Sequence, residues 1–159
     1  MPFAFAAHFA PEHLYAAAQL YRDQFRPSKI LGKPYFMVAV QVIAAETDAA
    51  AKRLFTTPQQ RFLRLIRDQP VELLPPVDSM KSLWQDDERA AVENKLRAAI
   101  VGSDATVKAG LEKLVEDTSA DEVIVVTDTY EHAERIESYR RVAAVATIIE
   151  VKPSVTVGA

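Results

Sequence analysis

The 159-residue chain has no cysteine. This excludes disulfides, thiolate metal ligands and a cysteine nucleophile together, and it fits a reducing, cytoplasmic setting. Glycine is scarce too: Gly32, Gly102, Gly110 and Gly158 are all there are. They are too few and too scattered for a dinucleotide fingerprint or a phosphate-cradling loop. Positive charge is not in excess. Nineteen basic against 22 acidic residues give a formal net charge of -3, so the basic footprint of a nucleic-acid binder is missing. The histidines, His8, His13 and His132, show no HExxH-type spacing, and no metal site is expected. The apolar opening MPFAFAAHFAPEH lacks a basic flank and is too short to cross a bilayer, so it reads as neither signal peptide nor membrane anchor.

What is present is a chain with 49% apolar residues, enough to bury the core of one domain. Its most informative stretch runs from Ala98 to Thr127, AAIVGSDATVKAGLEKLVEDTSADEVIVVT. Gly102 and Ser103 break the preceding segment, and Ser103 or Asp104 caps a helix whose apolar positions Val107, Leu111, Leu114 and Val115 recur at helical spacing. The helix stops near Asp117 to Ser119. Val123 to Val126 is then a β-branched run suited to a parallel strand covered on both faces.

The same strand-then-helix rhythm occurs twice upstream. Phe3 to His8 reads as a short buried strand, and Pro11 opens a helix with Leu14, Ala17, Ala18, Tyr21 and Phe25 inside, Gln19, Arg22 and Asp23 outside, and Pro27 as its end. Tyr35 to Ala45 is a second apolar strand, interrupted by Gln41. Thr47 and Asp48 open a helix that Pro58 should break into two pieces. In its second piece the basic run Arg61 to Arg67 alternates with apolar residues, as a solvated amphipathic face does. Pro70, Pro75 and Pro76 mark Asp68 to Ser82 as a surface excursion of the kind that often covers a site. Trp84 follows as loop anchor or substrate-side wall, and Glu88 to Ile100 has helical spacing again. Asp128 to Ala144 is the last helix, with Ala133, Ile136, Tyr139 and Ala143 inward. Residues 146–159, including TIIEVKPSVTVGA from Thr147, form an extension or a recruited edge strand.

Three such units predict an α/β fold with a parallel sheet and right-handed crossovers. Three strands are few for a sheet that must be covered on both faces, and the two outer ones keep unpaired edges. A partner is therefore expected: another copy of the chain, or a complementary half.

Three segments carry a family resemblance. MPFAFAAHFAPEHLYAAAQLYRDQFRPS, YFMVAVQVIAAETDAAAKRL, and AIVGSDATVKAGLEKL followed by ADEVIVVTDTYEHAERIESYRRVA together resemble the C-terminal part of the bacterial luciferase-like, flavin-dependent monooxygenases. The resemblance implies that residues 1–145 are three β–α units of a partial (β/α)8 TIM barrel, equivalent to strands six to eight. It implies reduced FMN as cofactor, a flavin reductase as a possible partner, and oxygenation of a small organic substrate by the complete enzyme. The family's strands one to five, and the Gly-Ser-Ser loop that helps hold the flavin phosphate, have no counterpart in this sequence. Flavin binding by this chain alone is for that reason doubtful, and a non-catalytic barrel fragment is the alternative reading.

The working face of such a barrel lies at the carboxyl ends of its strands. Ala7 and His8 close the first strand, Ala44 to Glu46 the second, and Thr127, Asp128 and Tyr130 the third. His8 is the candidate catalytic residue, since histidine is the side chain most often used as a general acid or base, although a strand-capping role is the commoner use of such a residue. Ala7, Gln41, Thr127 and Asp128 are candidate flavin contacts. Gln41 must satisfy an amide inside an apolar strand, and Asp128, just ahead of a helix, is also a natural cap. His132 reads as a solvated partner of Glu131.

Overall fold

A nine-residue strand buried along almost its whole length, FMVAVQVIA, is the centre of the fold. In the computed structural model, which describes residues 1–147, it is the second of four strands. In chain order the elements are β1 (Phe3–Ala6), a 3-10 turn at Pro11–His13, α1 (Leu14–Asp23), β2 (Phe36–Ala44), α2 (Asp48–Ile66) and α3 (Asp86–Lys95). β3 (Ile100–Gly102), α4 (Asp104–Thr118), β4 (Glu122–Val126) and α5 (His132–Ala146) follow. The extension expected from residue 146 lies, from 148 onward, outside the described residues.

Every pairing is parallel and every pairing involves β2. β1 matches Phe3–Ala6 to Phe36–Ala39, β4 matches Glu122–Val126 to Met37–Gln41, and β3 matches Ile100–Gly102 to Val42–Ala44. Successive residues of a strand send their backbone groups to opposite flanks. The carbonyls of Tyr35 and Ala39 accept from Phe3 and His8, and Ala45 donates to the Gly102 carbonyl, whereas the Phe36 carbonyl accepts from Asp121. Odd residues of β2 therefore face the β1 flank, and β3 continues that flank where β1 ends. β3 replaces the end of the helix expected over Glu88 to Ile100. β2 outruns β1, and its remaining polar groups need partners, which the β-branched pair Ile100–Val101 supplies more readily than a helix end.

Even residues of β2 form the main core with Phe3 and Phe5 of β1, Val123 and Val125 of β4, and the inner faces of α1, α4 and α5. The opposite face is covered only towards the carboxyl end, where Ile43 and Ala45 pack on Ala51 and Leu54 of α2. Ala4, Ala6, Glu122 and Ile124 on that face are exposed. Burial on both faces, expected of all three strands, holds for β2 alone. The alternation Phe-Ala-Phe-Ala in β1 puts large residues under the helices and small ones on the open side.

Several helices differ from their sequence reading. α1 ends at Asp23, short of Pro27. Arg22, read as solvated, lays its guanidinium over the Phe36 ring at 5.3 Å and donates to the carbonyls of Thr118 and Ser119. There it satisfies the end of α4 where Ser119 turns left-handed at φ 47°. α2 passes through Pro58 without a break. Proline costs an interior helical bond, but side-chain bonds on either side tie this turn to the excursion: Thr57 Oγ1 to the Leu74 carbonyl at 2.8 Å and Gln60 Nε2 to the Pro75 carbonyl at 2.9 Å. α5 buries Ser138, Val142 and Val145, while Ala133, Ile136, Tyr139 and Ala143, expected inside, are exposed. Its two apolar stripes are close in strength, and the one containing Ser138 wins because the Ser138 hydroxyl accepts from the Ala44 N–H at 3.0 Å in the core.

Candidate functional site

Parallel pairing brings the carboxyl ends of the strands to one side of the sheet, where ligands of α/β proteins usually bind. His8 follows β1 there, half-buried, with Nδ1 3.3 Å from the Ala39 carbonyl. A carbonyl only accepts, so Nδ1 is the donor in this contact and Nε2 is left free of it. Ala7 is fully buried in the helix-covered core and lines no open surface.

Gln41 is mid-β2, on the odd face, 3% exposed, and its Nε2 has no hydrogen-bond partner among the described residues. Thr127, by contrast, is fully engaged. Its hydroxyl donates to the Val42 carbonyl at 2.8 Å and its N–H to the Tyr139 hydroxyl at 3.2 Å. Both bonds brace the end of β4 against β2 and α5, a structural use of a residue proposed as a flavin contact. Asp128 caps no helix among the described residues. It accepts from Arg61 of α2 at 2.6 Å, with the two side chains 23% and 33% exposed. This pair joins the end of β4 to the helix that covers the end of β2.

Arg61 was legible only as part of a basic run. All three arginines of that run have acidic partners: Arg61 has Asp128, Arg64 has Glu72 at 3.9 Å, and Arg67 has Glu88 through two bonds of 2.7 and 2.8 Å. The Arg67 bonds, then the Gln85 N–H, hold the Glu88 carboxyl down at about 2. A second carboxylate works across elements. Asp48, at the start of α2, accepts from the Ser103 N–H at 2.7 Å and the Thr106 hydroxyl at 2.8 Å, so it caps α4 where Ser103 makes no side-chain cap of its own. Its pKa is lowered, chiefly by the Ser103 N–H and then by Thr106.

The other polar candidates lie apart from this region of the fold. His132 meets Arg135 at 3.0 Å, not Glu131, on the exposed side of α5. Trp84 packs as an anchor on the cluster of Phe62, Leu63, Met80, Val92 and Leu96. Among the described residues, no three His, Asp or Glu side chains gather as a metal site, and no helix is long and apolar enough to cross a membrane. An open groove of about 390 Å³ lies beside the amino end of β1, lined by Met1, Phe3, Leu20, Tyr21 and Phe25. It lies away from the carboxyl ends and brings no set of reactive groups together.

No family model matches the chain. A luciferase-like monooxygenase of Escherichia coli K12 is 41% identical over 139 residues, which are 87% of this chain and 42% of that protein. Over that stretch this chain is similar to a protein named luciferase-like monooxygenase. YvbT of Bacillus subtilis, an uncharacterized protein, is 47% identical over 145 residues, 91% of this chain and 43% of its own length. Among solved structures, apo-MsnO8 superposes with a TM-score of 0.80 at 29% identity over 95% of this chain and 46% of its own. The monooxygenase RslO1 of Streptomyces bottropensis, at 18% identity and a TM-score of 0.58, shares the fold. The chain thus spans less than half the length of the curated relatives it matches.

Proposed function

We propose that this chain is part of a flavin-dependent, luciferase-like monooxygenase, in which β1, β2 and β4 are consecutive strands, six to eight, of a (β/α)8 barrel. The observation that carries this reading is the 41% identity, over nearly the whole chain, to a protein named luciferase-like monooxygenase. The all-parallel sheet, with α1, α4 and α5 packed against one face, supports this reading.

Reduced FMN, delivered by a flavin reductase, would supply the electrons with which dioxygen oxygenates a small organic substrate. The residues present fit the flavin ring better than its phosphate. Gln41 offers a buried donor with no partner among the described residues and His8 an acceptor at Nε2, whereas the guanidinium of Arg61 at the end of β4 is committed to Asp128. In this reading His8 exchanges a proton at Nε2, Gln41 orients the ring, and the Arg61–Asp128 pair fixes α2 over the carboxyl end of β2. Titration of the purified chain with FMN, followed by absorbance and fluorescence, tests it. Perturbed spectra are expected, and unshifted spectra at high protein concentration would count against it.

A second reading has its own support. The outer edges of β1 and β4 have no strand partner among the described residues, and Ile124, Ile136 and Tyr139 beside β4 are 40%, 38% and 41% exposed. These features favour a wall that associates with a second copy or with a complementary half of a barrel before any chemistry occurs.

A further inference from the structure

At the amino end of β1 the apolar groove of about 390 Å³ adjoins a cationic loop. Met1, Phe3, Leu20, Tyr21 and Phe25 form its walls, and Arg26 also lines it. The chain leaves the groove at Arg26 and returns at Tyr35, whose N–H donates to the Tyr21 hydroxyl at 3.0 Å. Between these points the loop is held in a turn. Ser28 Oγ accepts from the N–H groups of Ile30 and Leu31 at 3.3 and 3.2 Å, and the Ser28 N–H donates to the Leu31 carbonyl at 2.9 Å. Ile30 on this turn is 96% exposed, and Leu20 in the groove wall is 57% exposed. Apolar side chains grouped in the open beside a concave surface mark a place of contact.

Charge indicates what makes that contact. No acidic residue lies between Asp23 and Glu46, whereas Arg26, Lys29 and Lys33 do. Every arginine from Arg53 to Arg89 has a carboxylate partner, but these three cations have none among the described residues. One anionic headgroup would meet one or two of them. Spread over residues 26–33, they suit several carboxylates in succession. A flat anionic membrane is disfavoured, because Asp121 and Glu122 stand at the same ends of the strands and would approach it together with the loop; they accept from the Phe36 N–H and the Tyr35 hydroxyl. A narrow segment laid along the loop avoids them.

We propose that the groove and loop 26–33 form a docking surface for an acidic segment of a partner protein. An aliphatic or aromatic side chain of that segment enters the groove, and its flanking carboxylates meet Arg26, Lys29 and Lys33. The apolar anchor supplies most of the affinity, since exposed ion pairs contribute little. The charges select the partner and speed the encounter. The proposal is independent of the flavin reading, which concerns the opposite ends of the strands.

The test is fluorescence anisotropy of a labelled peptide, Glu-Glu-Leu-Phe-Glu-Glu, titrated with the full chain. Glu-Glu-Ser-Ser-Glu-Glu keeps the charges without the anchor, and Lys-Lys-Leu-Phe-Lys-Lys keeps the anchor with the charges reversed. The first peptide should bind at least about tenfold more tightly than either control, and more weakly as salt is raised towards 1 M, where the Debye length is only about 3 Å. Leu20→Glu should weaken it at least about tenfold, and so should Lys29→Glu combined with Lys33→Glu. All three positions are exposed, so both variants should melt with wild type; if Leu20→Glu melts lower, the loop variant decides alone. Equal binding of the three peptides, or unchanged affinity in the loop variant, would overturn the proposal. Absence of binding at millimolar chain would do the same, and retention of the chain by phosphatidylglycerol vesicles in that case would make a membrane the partner instead.

Discussion

Two carboxylates and a glycine show how single residues hold this fold. Asp48 and Glu88 are both held below their ordinary pKa, Asp48 first by a backbone N–H and Glu88 first by a guanidinium. A carboxyl depressed in the folded state stabilises fully above its unfolded pKa and loses that contribution as pH falls through the folded value. For Glu88 the window runs from its reference value of 4.5 down to about 2. Wild type should therefore melt above Glu88→Gln near neutral pH, with the difference closing across that window in melts taken at successive pH values. Gly102 has no room for a side chain: a Cβ there would lie 2.5 Å from the Thr106 side chain and 2.8 Å from Asp48 Oδ1. Gly102→Ala should cost about 1–3 kcal/mol in denaturant unfolding through this overpacking. It should also disturb the Asp48 cap, so that combining it with Asp48→Asn costs less than the sum of the two single changes.

At the level of elements, α2 and the irregular segment after it behave as one unit. Thr57 is fully buried and donates to the Leu74 carbonyl, and Thr56 accepts from the Val77 N–H at 2.8 Å. Thr57→Val keeps the shape and leaves that carbonyl unpaired, so unfolding free energy should drop by about 1–3 kcal/mol. Hydrogen exchange around residues 74–77 should quicken at the same time. The sequence announced the strands and their helices because β-branched runs and helical spacing are local signals. It misplaced what depends on distant contacts. Whether Pro58 breaks α2 is decided by bonds to residues 74 and 75, and which stripe of α5 turns inward is decided by a hydroxyl meeting the end of β2. β3 was hidden because three residues carry too little pattern to outweigh the helical spacing before them. At the site, Gln41 stood out as a polar residue in an apolar run. The pairing of Arg61 with Asp128 spans 67 positions and left no local trace.

For the molecule as a whole, the outer edges of β1 and β4, without a strand partner among the described residues, and the exposed stripe on α5 are the features on which the association reading rests. Under the association reading, light scattering should report a species larger than the 17.7 kDa chain, and Ile136→Glu should shift it towards the monomer without unfolding it. A wild-type chain that stays monomeric at high concentration would sink that reading. The position of β2 also governs how the chain is made. Its partners are spread from residue 3 to residue 126, and the bond between Val42 and Thr127 closes a separation of 85 positions. On a ribosome, the most apolar strand of the protein emerges long before β3, α4, β4 and α5 exist to cover it. Until about 100 more residues have been added, it is an aggregation-prone segment without its full cover. The same strand that organises the finished sheet is thus the one most in need of protection during synthesis.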